Sequence, residues 1–328
     1  MIPDQRSFSG LVLGLFFASL LILTIPGTIC AFQSVKMGQG YFEEEHLLFQ
    51  ALEQEYQPDV LTRIASGRLS PTWHGMVTNL PTDWQRAFDF TFRTANVHEF
   101  LGLTAITGLF LATDRRTWRE TRRLYRQSHF ARQASNLIVP VGDAKFQLGI
   151  VGALAGYGFI AGDDRALRTA SQTVEAVLAT GITVQILKHV TGRESPIAAT
   201  KQKGRWKFFP HPKKYHQDEP RYYAFPSGHI SSTMAVLTVA MNNYPNEKWL
   251  KPVGYSIVGL LGVGLVAKGM HWYSDLPLGV AMGYLFGTVV SRPKAVEAAT
   301  AQEDNELKFS VAPVVLVNGV ALRFGMSF

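Results

Sequence analysis

The chain has 328 residues, of which 47% are hydrophobic and 17% are charged, with one cysteine and a formal net charge of +7. This composition excludes a disordered chain, a small disulfide-stabilised domain and a basic nucleic-acid-binding tail. The mean hydropathy of +0.05 lies between the values of ordinary soluble proteins and of polytopic membrane proteins.

The N-terminal segment has the layout of a secretory signal peptide. Arg6 precedes an apolar run from residue 11 to residue 25, and Pro26-Gly27 ends that run before small residues. The pattern predicts cleavage after Ala31, so that residues 1–31 are removed on export to the cell envelope or periplasm. An uncleaved membrane anchor is the alternative, because the apolar run is just long enough to span a bilayer.

The rest of the chain divides into a cover segment, a helical domain and a C-terminal extension. Residues 32–96 contain several turn residues and no sustained period, and we expect short helices and loops there. Residues 97–295 contain recurrent apolar segments with short connections, which predict an all-α helical bundle. These segments are Phe100–Thr113, Leu148–Ala161, Ala170–Leu187, Ile230–Met241, Val253–Ala267 and Leu276–Val290.

Most of these segments hold fewer apolar residues than the roughly 20 that are needed to span a bilayer. The segment Ala170–Leu187 also carries Gln172, Glu175 and Gln185, which favours a buried helix. We therefore expect an exported bundle with at most peripheral membrane contact. An integral membrane protein is the alternative, because Gly- and Ala-rich helices also pack well in bilayers.

Two basic stretches lie between the apolar segments. Seven arginines fall within residues 115–132, and lysines and arginines alternate with Trp206, Phe208 and Phe209 within residues 201–214. Both stretches are typical of a solvated surface, and the alternative is contact with anionic lipid head groups at a membrane surface. Nucleic acid is not expected as a partner.

The C-terminal residues 308–328 change in character. Two runs typical of extended strands, 309–317 and 320–328, flank Asn318-Gly319, which is a strong hairpin-turn signal. We expect a β-hairpin that packs on the bundle.

Three short motifs carry candidate chemistry. The first contains Lys188 and Arg193 and ends at Pro196, the second is the run 225–229 with the sequence FPSGH, and the third is the run 269–275 with the sequence GMHWYSD. In the second motif, Ser227 can cap a helix or donate a hydrogen bond, and Gly228 lets the backbone approach an anion.

The histidines of the motifs complete a phosphoryl-transfer site. His229 lies in the first turn of a predicted helix, where it can reach a bound anion. His271 and Asp275 are four residues apart, so that on a helix the carboxylate can orient the imidazole. Lys188 and Arg193 supply positive charge for a phosphate. These residues predict phosphoryl transfer that needs neither metal nor cofactor.

The three motifs together resemble the type 2 phosphatidic acid phosphatase/haloperoxidase superfamily, over roughly residues 142–291. The resemblance implies a helical bundle of the acid phosphatase/haloperoxidase type. It also implies that His271 attacks phosphorus, Asp275 orients it and His229 protonates the leaving group. Lys188, Ser227 and Gly228 would then bind the phosphate.

The sequence departs from the family pattern at two arginine positions. Ser195 stands where the first motif of the family has an arginine before its proline. Leu265 stands where the third motif of the family has an arginine, six residues before His271. Arg193 and Lys268 are the substitutes that we predict from their positions. Lysine offers a point charge where arginine offers a planar fork, so the substitution changes phosphate recognition.

These observations predict a metal-independent phosphatase. Its substrate would be a phosphomonoester or pyrophosphate, either soluble or part of a membrane lipid, and the reaction would pass through a phosphohistidine on His271. One alternative is a catalytically weakened pseudophosphatase that binds phosphorylated lipid. A vanadate-dependent haloperoxidase is the other, and the loss of both arginines argues against it more strongly.

Overall fold

The computed structural model describes residues 73–91, 97–291, 308–316 and 319–327. The predicted signal peptide at 1–31 and most of the predicted cover segment lie outside these residues. Contacts divide the chain into two units, of which one holds the described helices and the other holds the two strands.

The regular secondary structure of the first unit is helical in its described part. Residues 73–91 and 97–291 contain ten α-helices and three short 3-10 helices and no β-strand. The α-helices are α1 (Gly75–Thr78), α2 (Leu80–Thr91), α3 (Val97–Gln127), α4 (His129–Ile138), α5 (Ala144–Ala161), α6 (Asp164–Thr191), α7 (Pro212–Gln217), α8 (Gly228–Asn243), α9 (Leu250–Lys268) and α10 (Leu276–Ser291). Each of the six predicted apolar segments lies inside one of these helices. The predicted all-α fold is thereby confirmed for this part of the chain.

The centre of the bundle is formed by α6, α8 and α10, which contact one another in pairs. Ile230, Met234 and Leu265 are almost wholly buried in the main apolar cluster, to which α8 and α9 both contribute. The short helix α2 covers another part of the bundle, where Leu80 packs with Phe286 of α10. Burial of such side chains supplies the main favourable free energy of folding.

A seam of glycines lets α8 and α10 approach each other closely. Gly279, Gly283 and Gly287 recur at every fourth residue of α10, so that they share one face of the helix. A methyl group on Gly283 would overlap the carbonyl oxygen of Ser231, and one on Gly279 would lie 2.9 Å from the carbonyl oxygen of Ser227. Because these glycines lack a Cβ, the backbones of the two helices meet directly.

The helix α5 is largely exposed, although it is as apolar as a core helix. Both α5 and α9 are long and apolar enough to cross a membrane by length and composition, yet only 11% and 39% of their residues are buried. Tyr157, Phe159 and Ile160 of α5 are 59%, 67% and 91% exposed. The physical reason is that α5 is apolar on all sides, so that packing one face against α6 leaves another apolar face outward.

The second unit contains the strands β1 (Lys308–Leu316) and β2 (Gly319–Ser327), which pair antiparallel. The predicted packing of a stable C-terminal hairpin on the helical bundle stays a prediction.

Candidate active site

The candidate catalytic side chains meet where several helices begin or end. Lys188 lies in the last turn of α6, and His229 lies in the first turn of α8. His271 follows the end of α9, and Asp275 immediately precedes α10. The rings of His229 and His271 are 6.3 Å apart between centroids, so the structure brings the two predicted histidines together.

His271 is wholly buried and held in one tautomer by the backbone. Its Nδ1 lies 2.7 Å from the carbonyl oxygen of Ala224. A carbonyl only accepts hydrogen bonds, so Nδ1 carries the proton and Nε2 of the neutral ring carries a lone pair. Nε2 has no hydrogen-bond partner among the described residues. It is therefore free to attack an electrophile that enters the site.

Asp275 lies near His271 but makes no hydrogen bond to it. The 3-10 helix Tyr273–Asp275 takes the place of the α-helical spacing, and the carboxylate lies 3.7 Å from Nδ1, beyond hydrogen-bond distance. Asp275 instead accepts the backbone N–H of Trp272 at 2.7 Å and pairs with Arg193. The Ala224 carbonyl is thus the hydrogen-bond partner of Nδ1, Asp275 caps the turn next to His271, and the orienting role of Asp275 stays a prediction.

His229 has a partner that the sequence analysis missed. Its Nε2 lies 3.0 Å from Oδ1 of Asp143, the residue that precedes α5. Burial lowers the pKa of His229, the nearby His271 lowers it further, and the bond to Asp143 opposes both effects. No short-range spacing in the sequence links Asp143 to a residue 86 positions away.

A candidate phosphate cradle lies at the start of α8. Ser227 is wholly buried, and its hydroxyl caps no helix and has no partner among the described residues. Lys188 is 9% exposed, and a Cβ on Gly228 would lie 3.6 Å from its Nζ. A cation, a free hydroxyl and the amides of a helix N-terminus thus converge, as an anion site requires.

The environment of Lys188 shifts the balance toward its neutral form. Burial lowers the pKa of its ammonium to about 8, although the negative charges of Asp275 and Glu219 act in the opposite direction. Its Nζ lies 5.3 Å from the ring centroid of Tyr223, whose ring meets His271 edge-on. Tyr223 thus lies next to both the cation and the imidazole, and the sequence carried no signal for this position.

Arg193 does not join this cradle. It is wholly buried, its guanidinium pairs with Asp114 at 2.8 Å and with Asp275, and it donates to the hydroxyl of Ser274 at 2.7 Å. Its guanidinium also lies 4.8 Å from the ring centroid of Trp206. The contacts of Arg193 join α3 to the turn that carries His271. The structure thus places Arg193 in a buried network of ion pairs and hydrogen bonds, whereas its sequence position predicts a phosphate ligand.

Comparison with known proteins adds evidence for part of the chain. Residues 170–295 match the profile of the PAP2 superfamily. Residues 170–295 belong to this superfamily. The matched range contains the three motifs, whereas Asp114 and Asp143 precede it.

Two known proteins are similar to parts of the chain. A lipid A 1-phosphatase from Porphyromonas gingivalis is 31% identical over 65 residues, which are 20% of this chain and 15% of that protein. The crystal structure of a transmembrane PAP2 type phosphatidylglycerolphosphate phosphatase from Bacillus subtilis aligns with a TM-score of 0.41 and 16% identity. That alignment covers 58% of this chain and 92% of the other.

The PAP2 domain of this chain lacks both arginines that the family pattern implies. Ser195 is wholly buried with its hydroxyl unpartnered among the described residues, and Leu265 packs in the main apolar cluster. Lys268 is half-buried in the last turn of α9, and its ammonium has no ion-pair partner in the described part of the chain. A role of Lys268 at the phosphate therefore stays a prediction.

No group of three His, Cys, Asp or Glu side chains within the described ranges is arranged to hold a metal ion. The metal independence that we predicted from the motifs stays a prediction for the PAP2 domain.

Proposed function

We propose that this protein is a phosphatase that removes a phosphate group from a phosphorylated lipid. The observation that carries the proposal is the free, buried Nε2 of His271, which lies beside a second histidine and a phosphate cradle. The match to the PAP2 superfamily supports the same class of reaction. The similarity to a lipid A 1-phosphatase is consistent with a lipid substrate.

The proposed reaction has two steps. Nε2 of His271 attacks phosphorus while the bond to the leaving oxygen breaks, and His229 gives its proton to that oxygen. Water then attacks the phosphohistidine, and neutral His229 takes a proton from the water as inorganic phosphate leaves. Lys188, the amides at the start of α8 and the Ser227 hydroxyl stabilise the charge on the phosphoryl oxygens throughout.

A membrane-associated position fits the outer surface of the bundle. The exposed apolar side chains of α5 would be costly in water and favourable against lipid. The second half of α3 presents exposed arginines such as Arg119, Arg123 and Arg126, which suit anionic head groups. We propose that the protein acts in the cell envelope at such a surface, and that export by a cleaved signal peptide places it there.

The proposed function is tested by phosphate release from phosphatidic acid in detergent micelles, with and without a metal chelator. We expect release that the chelator does not reduce, together with a phosphorylated peptide containing His271 in samples quenched at alkaline pH. A parent protein that binds phosphatidic acid but releases no phosphate would favour the pseudophosphatase. The absence of arginine at positions 195 and 265 is consistent with that alternative.

The charge of Lys188 should matter more than that of Lys268. Lys188→Met removes the cation beside Gly228, and we expect kcat/KM to fall by about 100-fold or more, as loss of one preorganised charge-stabilising group typically causes. Lys268→Met is the matched control, because it removes an equal charge from the last turn of α9, where Lys268 makes no hydrogen bond or ion pair with the described residues. An equal loss in both variants would instead assign Lys268 to the phosphate, as its sequence position suggested.

Asp143 should set the pH range in which His229 acts as an acid. Asp143 raises the pKa of His229, so Asp143→Asn lowers that pKa further. Because the acid must be protonated, the basic limb of the kcat/KM profile should move to lower pH. We expect Asp89→Asn, which changes an exposed carboxylate on α2, to leave the profile in place. An unmoved basic limb in Asp143→Asn would remove Asp143 from this positioning role.

A further inference from the structure

An apolar groove runs along the outer face of α6. It has a volume of about 730 Å³ and is shallow, because most of it is open to the outside. Its walls include Leu178, Ile182 and Ile186, which recur every fourth residue and are 38%, 38% and 56% exposed. Apolar side chains that share an exposed face of a helix are typical of a binding surface for apolar ligands.

One end of the groove is the candidate phosphate cradle itself. Lys188 and Gly228 line the groove, and these two residues also form the cationic and backbone parts of the cradle. A ligand that fills the site and the groove together therefore has an anionic phosphate at one end and an apolar chain at the other.

We propose that this groove binds the acyl chain of the phosphorylated lipid whose phosphate group lies at Lys188. The inference rests on the proposed function and extends it, because it assigns the chain-binding surface to the face of α6 between Val177 and Lys188. Charge complementarity at one end and continuity with the phosphate cradle select an amphiphilic lipid as the occupant.

Phe209 forms part of the groove at the end near the cradle. It is 74% exposed and has a φ of 52°, in the left-handed region that bulky side chains rarely adopt. A hydrogen bond from its backbone N–H to the carbonyl oxygen of Val190 holds it there. An aromatic ring held in a strained position beside an apolar groove suits contact with an acyl chain.

Gly181 offers a place to block the groove without disturbing the core. It lines the groove, and a Cβ added there would meet no atom within 4 Å. It lies seven residues from Lys188, which is about 10 Å along the helix. Leucine is also a better helix former than glycine. Gly181→Leu should therefore fold, and its side chain should occupy the path of the acyl chain.

The test compares two substrates in the full chain. We expect Gly181→Leu to lower kcat/KM for dioleoyl phosphatidic acid by at least about tenfold, because several methylenes lose their contacts. Hydrolysis of the water-soluble ester para-nitrophenyl phosphate should be unchanged, since that ester has no chain to place in the groove. Gly152→Leu on α5 is the matched control, because a Cβ there also meets open space, and both activities should equal those of the parent.

The outcomes separate the groove from the proposed function. If Gly181→Leu hydrolyses both substrates as the parent does, the groove does not bind the acyl chain, while the phosphatase function stands. If the variant loses both activities equally, Gly181 acts on the fold or on the catalytic site, and the inference is again overturned. A parent that hydrolyses neither substrate would overturn the proposed function and this inference with it.

Discussion

Replacing His271 should abolish turnover while leaving the fold in place. His271→Ala removes the nitrogen that we propose as the nucleophile, and we expect kcat to fall by a factor on the order of 10⁴ or more, as loss of a nucleophile does in other hydrolases. The measurement is phosphate release from phosphatidic acid, with thermal unfolding followed in parallel.

A second substitution at this position separates chemistry from structure. His271→Asn keeps an N–H that can donate to the Ala224 carbonyl, but it has no nucleophilic nitrogen. We therefore expect it to unfold at a temperature close to that of the parent and to be as inactive as the alanine variant. His129→Ala, which changes an exposed histidine at the start of α4, serves as the control. Substantial phosphate release by His271→Asn would rule out attack by His271.

Replacing Arg193 should lower the free energy of unfolding, and should not act on phosphate binding alone. Arg193→Met leaves the buried carboxylates of Asp114 and Asp275 without their shared cation. Loss of one partner from a buried ion pair typically lowers the free energy of unfolding by about 3–5 kcal/mol. The measurement is denaturant or thermal unfolding of the purified variant.

The pH dependence of this loss has a definite sign. Burial already raises the pKa of Asp114 against the lowering effect of Arg193, so removing Arg193 raises that pKa further. A carboxyl with a raised pKa in the folded state destabilises the fold as pH rises through that pKa. The deficit of Arg193→Met should therefore be largest near neutral pH and should shrink on acidification. Arg205→Met, on an exposed side chain of the same loop, should cost within about 0.5 kcal/mol. A stable Arg193→Met variant with only a raised KM would restore the phosphate-binding role that the sequence suggested.

The sequence predicted those parts of the site that lie close together along the chain. The run 225–229 carries a turn, a helix start and a histidine within five residues, and the second histidine lies four residues before Asp275, so both imidazoles could be placed in one site. The helices could be predicted because their apolar segments are long and separated by short polar connections.

Other parts of the site depend on contacts between distant segments. Asp143 and Asp114 lie 86 and 79 residues from His229 and Arg193, their respective partners, and no local pattern connects them. Arg193 resembled a phosphate ligand because the local sequence around an arginine does not show whether its side chain faces the substrate or the protein interior. The exposure of α5 could not be predicted for a related reason, because an apolar helix suits a protein core and a lipid environment equally well.

The glycine seam between α8 and α10 has a consequence for the evolution of the site. His229 lies in the first turn of α8 and His271 lies shortly before α10, so the distance between the imidazoles depends on the backbone contact along Gly279, Gly283 and Gly287. Any side chain larger than hydrogen at Gly283 would wedge the helices apart at a point remote from either ring. Selection for catalysis therefore also acts on glycines that do not contact the substrate. We expect this face of α10 to tolerate fewer substitutions than other positions at the same distance from the active site.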